Sequence, residues 1–417
     1  MRILIVCAFM PGCVAKALNL DRGVKEGWVD AALMGLLAGS EADLDISVAF
    51  AAPPGSPAIR GELSPLTCYS FPEDFSRLEE LPPALMQSTA SILQAARPDL
   101  IHIFGTEYPH GAAFAEAFGE PSRSLVSLQG LMGECAKHYR AGLPDKVWNA
   151  ATFRDLLRSD SLKQQQEKFE KRAIFENRIL QSAGHVAGRT AFDKAAALAV
   201  NPGLFYHHLG ESLRSGFYQG AWSYEGCRKH SIFLSQGNYP LKGAHRLLEC
   251  LPELTKEFPD LQVRIAGDNV AAAESLKGKL KLSAYGRYLR DLSRGFPVTF
   301  TGRLSAEEMR EEMLSANVFL SPSSIENSSN SLGEAMLLGV PCAASRVGGI
   351  PDLAEDGKEA LLYSFENSDE MISAIRRLFC DRDLCEALGS AASQKARRLF
   401  DPSGNASRLL QIYRELA

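Results

Sequence analysis

The stretch from Ala316 to Tyr363, ANVFLSPSSIENSSNSLGEAMLLGVPCAASRVGGIPDLAEDGKEALLY, constrains the fold more than any other part of the chain. It opens on the apolar run Asn317-Val318-Phe319-Leu320, which predicts a parallel strand covered on both faces. A polar loop from Ser321 to Asn330 follows, holding Pro322, Glu326 and Asn327. Ser331-Leu332-Gly333-Glu334 then opens an amphipathic helix, which Gly339 ends before Pro341. Cys342 to Ser345 predicts the next strand, with the turn Gly348-Gly349-Ile350-Pro351 after it. Strand, loop, helix N-terminus and strand in this order place free backbone N–H groups at the carboxyl edge of a parallel sheet. Open α/β sheets bind their ligands there.

Two carboxylates stand at this edge, Glu326 and Glu334, with seven residues between them. Ser331 and Glu334 have capping-box spacing, so one reading of Glu334 is a bond back to the Ser331 amide. Glu326 lies in a polar loop, where the plain reading is a solvated charge. A sharper reading uses both. The diphosphate of a sugar nucleotide suits the helix N-terminus, and its flanking hydroxyls suit carboxylate acceptors. One glutamate then holds the ribose and the other the transferred sugar.

Glu326, Glu334, Ala335-Met336, Gly339-Val340-Pro341 and Val347-Gly348-Gly349-Ile350-Pro351, taken together, resemble the donor-site signature of family 4 glycosyltransferases. Other segments fit the same family, so the resemblance covers most of the chain. It implies a retaining, metal-independent enzyme of the GT-B fold: α/β, with two Rossmann-like doubly wound domains facing across a cleft. The corresponding division is an acceptor-side domain over 1–218, a nucleotide-sugar domain over 229–400, and a last helix, 401–417, crossing back onto the first. Tyr218 to Arg228, rich in small and polar residues, is the expected linker.

Length supports two domains, since 417 residues exceed one ordinary core. The net charge of −5 argues against a general nucleic-acid binder. Met1 to Cys7 has one basic residue and no small-residue cleavage site, and predicts a first strand, not a signal peptide. No apolar run approaches the roughly 20 residues that span a bilayer. Nine scattered cysteines without a Cys-x-x-Cys pair fit reduced thiols in a cytoplasmic protein.

The N-terminal part alternates strands (Arg2–Phe9, Leu44–Phe50, Leu100–Phe104, Ser124–Leu128, His185–Ala187) with helices such as Trp28–Leu37 and Ala84–Ala96. That alternation predicts a parallel sheet covered on both faces. The long connection from Met10 to Gly27 lacks a Gly-x-Gly-x-x-Gly fingerprint, so dinucleotide binding is not indicated. In the family, a glycine-rich loop here lies under the donor phosphates; Gly27-Trp28 is the match, with Gly23 as the other candidate. His102 lies inside its strand and is expected in the core. Glu107 and His110 lie beyond that strand's carboxyl end, where site residues collect. Gln129 stands where family members often carry a histidine. Gln can hydrogen-bond but cannot shuttle a proton. Cys135 to Gln181 is expected to be helical, with Lys and Arg in excess and Tyr139, Trp148 and Phe153 interleaved. It is either a solvated face or a surface resting on an anionic membrane leaflet. Thr190 is the expected N-cap of a helix. His207 and His208, adjacent in a strand, point to opposite faces and do not easily share a metal.

In the second domain the resemblance assigns a diphosphate-gripping arginine and, six residues on, a lysine to the loop after strand Ser231–Ser235. Lys242 matches the lysine; Gln236 replaces the arginine and removes a bidentate grip. A cation beside a helix N-terminus is unfavourable without an anion nearby, which favours phosphate at Lys242. Strands Leu261–Ala266 and Val298–Thr301 follow, and Arg303 after the second is carried over as a residue bordering the nucleotide base. Everything after Leu361 is expected to be helical.

The implied function is sugar transfer from a nucleotide diphosphate sugar to a hydroxyl of a saccharide or lipid-linked saccharide, in bacterial cell-surface polysaccharide synthesis. Glu326, Lys242, Glu107 and Gln129 are the catalytic candidates. Gly27, Gln236, Lys242, Arg303, Glu326, Ser329, Asn330, Ser331, Leu332 and Glu334 are the donor-binding candidates. No metal, cofactor or nucleic acid is expected. The expected location is cytoplasmic, with peripheral contact at the inner face of the membrane. The alternatives are a catalytically weakened relative serving as a binding or scaffold subunit, a nucleotide-sugar epimerase of the same fold, and a synthase or phosphorylase using a phosphorylated sugar.

Overall fold

The structure, a computed structural model, describes residues 1–19, 27–39, 44–63, 66–271 and 281–416. Gly23 lies outside them. The chain forms two compact units. The first comprises Met1–Gly133, Lys168–Leu213 and Leu399–Ala417; the second comprises Glu134–Glu167 and Arg214–Arg398.

The first unit is built on eight strands: β1 (Arg2–Cys7), β2 (Asp45–Ala52), β3 (Arg60–Leu63), β4 (Leu66–Pro72), β5 (Leu100–Phe104), β6 (Ser124–Ser127), β7 (His185–Gly188) and β8 (Phe205–His208). Their order is β3-β4-β2-β1-β5-β6-β7-β8, parallel except for the β3–β4 hairpin. Alternation along β1 explains why both faces are covered. Ile3, Ile5 and Cys7 enter a core shared with helices Gly27–Gly39 and Pro402–Leu416. Leu4 and Val6 enter another, shared with helices Pro83–Ala96, Pro109–Phe118 and Leu162–Ser182. Each face needs its own apolar layer, so the strand is a near-continuous apolar run. The last helix, Pro402–Leu416, buries Leu409, Ile412 and Tyr413 in the first unit.

The second unit has six parallel strands: β9 (Arg228–Leu234), β10 (Gln262–Ala266), β11 (Val298–Gly302), β12 (Ala316–Ser321), β13 (Cys342–Ser345) and β14 (Leu361–Tyr363). Their order is β11-β10-β9-β12-β13-β14, the doubly wound arrangement whose direction reverses between β9 and β12.

Four expectations change. β3 and β4 were not among the expected strands, and β14 interrupts the all-helical tail, whose first helix begins at Ser368. The segment read as one helical stretch from Cys135 is broken into helices Met132–His138, Asp145–Trp148, Phe153–Arg158 and Leu162–Ser182. Ala141, Gly142 and Ser159 adopt positive φ, and Pro144 precedes the second helix, which accounts for the breaks. Glu134–Glu167 groups with the second unit, although it falls within 1–218. Its ties explain this: the Asp155 carboxylate accepts from the Ala284 amide at 2.9 Å, and the His245 ring bonds the Ala141 carbonyl at 2.8 Å.

Candidate active site

In the second unit the expected donor residues collect at the carboxyl edge of the sheet, on both sides of its switch point. β9 leads into Gln236 and the 3-10 turn Pro240–Lys242. β12 leads into the loop carrying Glu326 and then helix Asn330–Leu338. The two loops meet: Lys242 Nζ donates to Glu326 Oε1 at 2.6 Å, and Ser323 Oγ to the same oxygen at 2.7 Å. Burial alone would lower the Lys242 ammonium, but the Glu326 carboxylate more than offsets it, and the group is held above its ordinary value.

Glycines set this geometry. Gly243 has φ +68, and a Cβ there would lie 1.7 Å from the Pro322 carbonyl oxygen. A Cβ on Gly348 would lie 2.0 Å from the Glu326 carbonyl oxygen, and the Gly349 amide donates to that oxygen at 3.0 Å. The Gly348-Gly349 pair is thus a backbone cradle for the Glu326 loop. Ser329 is the N-cap of helix Asn330–Leu338, its Oγ accepting from the Leu332 amide at 3.3 Å, and Gly339 closes the helix at φ +74.

Glu334 is not in a capping box with Ser331, because the helix starts at Ser329 and its carboxylate is engaged elsewhere. Arg214 Nε donates to Glu334 Oε1 and Nη2 to Oε2, both at 2.6 Å. Burial pushes the Glu334 carboxyl up, and Arg214 offsets this only in part. Gln236 stands at the end of β9, its Cγ 3.5 Å from where a Cβ on Gly267 would lie. Arg303, after β11, is exposed and paired with Asp268, Nη2 to Oδ2 at 3.0 Å.

The first unit carries a second set. Glu107, beyond β5, is half-buried; its Oε1 accepts from the Gly130 amide at 2.6 Å. Burial raises its carboxyl, while the Gly130 bond, Arg172 and His110 act against the rise. His110 is committed to Glu73, Nδ1 to Oε2 at 2.6 Å with both side chains buried. Gln129, beyond β6, accepts from Arg189 Nη2 at 3.2 Å. Arg189 forms a buried ion pair with Glu211, and burial pulls its guanidinium down to about 10. Of these, Gln129, Arg189 and Glu211 line a partly open recess that also involves Trp28, Phe104, Ser127 and Asn405. Gly27 starts the helix that brings Trp28 there, its ring 5.4 Å from Phe104. His102 lies in the core as expected, between Tyr413 Oη at 2.7 Å and Ser127 Oγ at 2.8 Å. Burial holds it neutral, with a value near 3.

Arg214, Arg189 and Glu211 were not among the sequence candidates. Arg214 and Glu211 lie at the end of the Tyr206–Arg214 stretch, whose two histidines drew attention first.

Two doubly wound sheets of this kind are shared with solved glycosyltransferases of the GT-B fold. Sucrose-phosphate synthase from Thermosynechococcus elongatus aligns over 99% of this chain and 98% of its own, at a TM-score of 0.72 and 17% identity. The Anabaena protein HepE, solved in complex with UDP and glucose, aligns over 99% of both chains at 0.64 and 16%. Trehalose-6-phosphate synthase aligns over 100% of both at 0.65 and 11%. The chain therefore has the GT-B fold.

Residues 228–381, within the second unit, match the family model of glycosyl transferases group 1. Curated relatives resemble the chain in part. Sulfoquinovosyl transferase of Arabidopsis thaliana is 29% identical over 37% of this chain and 28% of its own length. A D-inositol 3-phosphate glycosyltransferase of Corynebacterium urealyticum is 27% identical over 42% and 41%. Alpha-D-kanosaminyltransferase of Streptomyces kanamyceticus is 30% identical over 42% and 43%. The matches span less than half the length of these relatives. Among the described residues no helix is long and apolar enough to cross a membrane.

Proposed function

We propose that this chain transfers a sugar from a nucleoside diphosphate to an acceptor hydroxyl, with retention and without a metal. The observation that carries the reading is the Lys242–Glu326 contact across the switch point of the second sheet. It sets a cation and a carboxylate beside the first turn of helix Asn330–Leu338, whose amides suit a diphosphate. Lys242 and the amides around Ser329 to Leu332 stabilise the charge that develops on the leaving diphosphate. Glu326 accepts bonds from the sugar and Glu334 from the ribose. The bond from the anomeric carbon to phosphate oxygen breaks, and a bond to the acceptor oxygen forms on the same face. The acceptor's proton passes to the departing phosphate oxygen. Gln129 cannot carry a proton, and Glu107 is spent on the Gly130 amide, so neither is needed as a base.

The recess in the first unit is the proposed acceptor site. Trp28 offers a ring face, while the Arg189 charge is already balanced by Glu211 and backed by Asp193. A neutral saccharide suits it better than a phosphorylated one. The acceptor is proposed to be a growing surface polysaccharide, lipid-linked, with the protein peripheral at the inner leaflet. Helix Phe153–Arg158 supports that contact. Phe153, Leu156 and Leu157 are 68%, 69% and 76% exposed. Lys146, Arg158 and Lys163 are exposed around them, whereas the acids of the stretch are paired: Asp145 with Arg140, and Asp155 and Asp160 with Arg154.

Thermal unfolding with UDP, GDP, ADP and dTDP sugars, on wild type and Glu326→Ala, tests the donor site. A ligand at 100 times its dissociation constant adds about 2.7 kcal/mol, and the midpoint rises a few degrees. The expected result is a shift with one nucleotide class, reduced in Glu326→Ala. No shift with any donor overturns the reading in favour of a scaffold role. For the acceptor, Trp28→Ala raises its KM and leaves the donor shift intact. If Glu107→Gln abolishes turnover with donor binding intact, a protein base replaces the front-face mechanism.

A further inference from the structure

The loop after β9 carries Gln236 where the resemblance calls for an arginine, so one bidentate hold on the diphosphate is missing. A cation stands at the other carboxylate. Arg214 donates to Glu334 through Nε and Nη2, and its Nη1 has no hydrogen-bond partner among the described residues. Its Cζ lies 4.5 Å from the Phe217 ring centroid, which backs one face of the guanidinium. Glu334 is four residues into helix Asn330–Leu338, on the same face as Asn330. Helical side chains lean toward the N-terminus, so the bonded guanidinium is carried toward the first turn.

Exposure decides what must move. The Glu334 side chain is 4% exposed and that of Arg214 is 34%. Arg214 bonds both carboxylate oxygens, so a ribose that bonds Glu334 takes them from the arginine. Breaking such a pair without replacement is costly. Ribose hydroxyls replace the guanidinium at Glu334, and the guanidinium then needs another anion. The diphosphate of the same donor supplies one.

We propose that Arg214 is the diphosphate-gripping arginine of this site, passing from Glu334 to the phosphates as the ribose takes its place; this rests on the donor-site reading above. Lys242 and Arg214 together restore the two cations that the Gln236 departure reduces to one. Nucleoside recognition then depends on the second phosphate, because a nucleoside monophosphate displaces Arg214 while offering it a poorer partner.

Calorimetric titration of UDP and UMP tests this, with GDP and GMP or ADP and AMP if wild type prefers those. The proteins are wild type, Arg214→Gln and the double variant Arg214→Gln with Gln236→Arg. Arg214→Gln should weaken the diphosphate about 10- to 100-fold and leave the monophosphate unchanged or tighter. The second-site arginine should recover most of the lost affinity, which no purely structural role of Arg214 predicts. Equal weakening of both nucleotides, or no weakening, overturns the proposal. A wild type that binds no nucleotide overturns the donor-site reading itself. If Arg214→Gln does not fold, Arg214→Lys, which keeps the charge and loses the fork, carries the same comparison.

Discussion

Replacing Lys242 by alanine removes the cation of the switch-point contact, and the structure sets the size of two separate effects. On stability, the Lys242 and Glu326 side chains are 23% and 12% exposed, between a surface pair and a buried one. Surface pairs contribute about 0.2–1 kcal/mol, and breaking a buried pair costs about 3–5 kcal/mol. Glu326 keeps its Ser323 bond at 2.7 Å, so the loss should be about 1–3 kcal/mol. On catalysis, Lys242 is the cation proposed to face the leaving diphosphate, and removing such a donor lowers kcat about 10²–10³-fold. Urea unfolding measures the first effect, and transfer kinetics at saturating donor measure the second. Glu326→Gln keeps an oxygen for Ser323, and the double variant reports the coupling, expected at about 0.5–3 kcal/mol. A Lys242→Ala enzyme that loses stability yet keeps kcat within threefold refutes the leaving-group role and leaves a structural ion pair.

Three further outcomes follow from the same geometry. Burial raises the Glu176 carboxyl from 4.5 to about 7, against bonds from the Met132 and Gly133 amides and Thr106. The folded state holds this proton more tightly than the unfolded chain, so the contribution is full below pH 4.5 and is lost as pH rises through about 7. It amounts to at most about 3 kcal/mol, and urea midpoints from pH 5 to 8 should converge between wild type and Glu176→Gln at the acid end and separate at the alkaline end. Parallel profiles would refute the linkage. Gly243→Ala and Gly295→Ala both place a side chain at positive φ, but only the first meets backbone, at Pro322. The shared conformational cost is about 1–3 kcal/mol, and Gly243→Ala alone should also weaken donor binding, read by calorimetry. Leu156→Ser with Leu157→Ser should lower binding to phosphatidylglycerol vesicles by more than tenfold, with an upper bound of about 5 kcal/mol if about six apolar carbons are withdrawn at about 0.8 kcal/mol each. Equal binding by the variant, or equal binding to phosphatidylcholine vesicles, would exclude this helix as the anionic-membrane contact, and concentration-dependent dimerisation lost in the variant would assign the face to a second copy.

Much of the fold is legible because its signals are local. Apolar runs bounded by turn residues mark β1, β5, β12 and β13, and Gly339 with Pro341 marks where a helix must stop. β14 has only three residues, too few to carry a period of their own. The breaks in the 132–182 region depend on residues such as Ala141 and Ser159 in left-handed conformation. Neither type signals that backbone, which tertiary contacts impose.

The site divides along the same line. Lys242 and Glu326 were readable as candidates because each sits at a position that strand-loop-helix order already fixes. Their pairing was not, since Lys242 and Glu326 lie 84 residues apart and Arg214 and Glu334 lie 120 apart. A sequence shows a carboxylate's neighbours along the chain, so Glu334 seemed available for a cap from Ser331. The helix start at Ser329 takes that role away, and the fold supplies Arg214 instead. Gln236 looks like a loss when the loop is read alone. Beside a guanidinium already delivered to the other carboxylate, it becomes a displacement of charge from one loop to another. The charge needed near a diphosphate is a property of the assembled edge of the sheet, not of any one loop, and only the fold shows where it is kept.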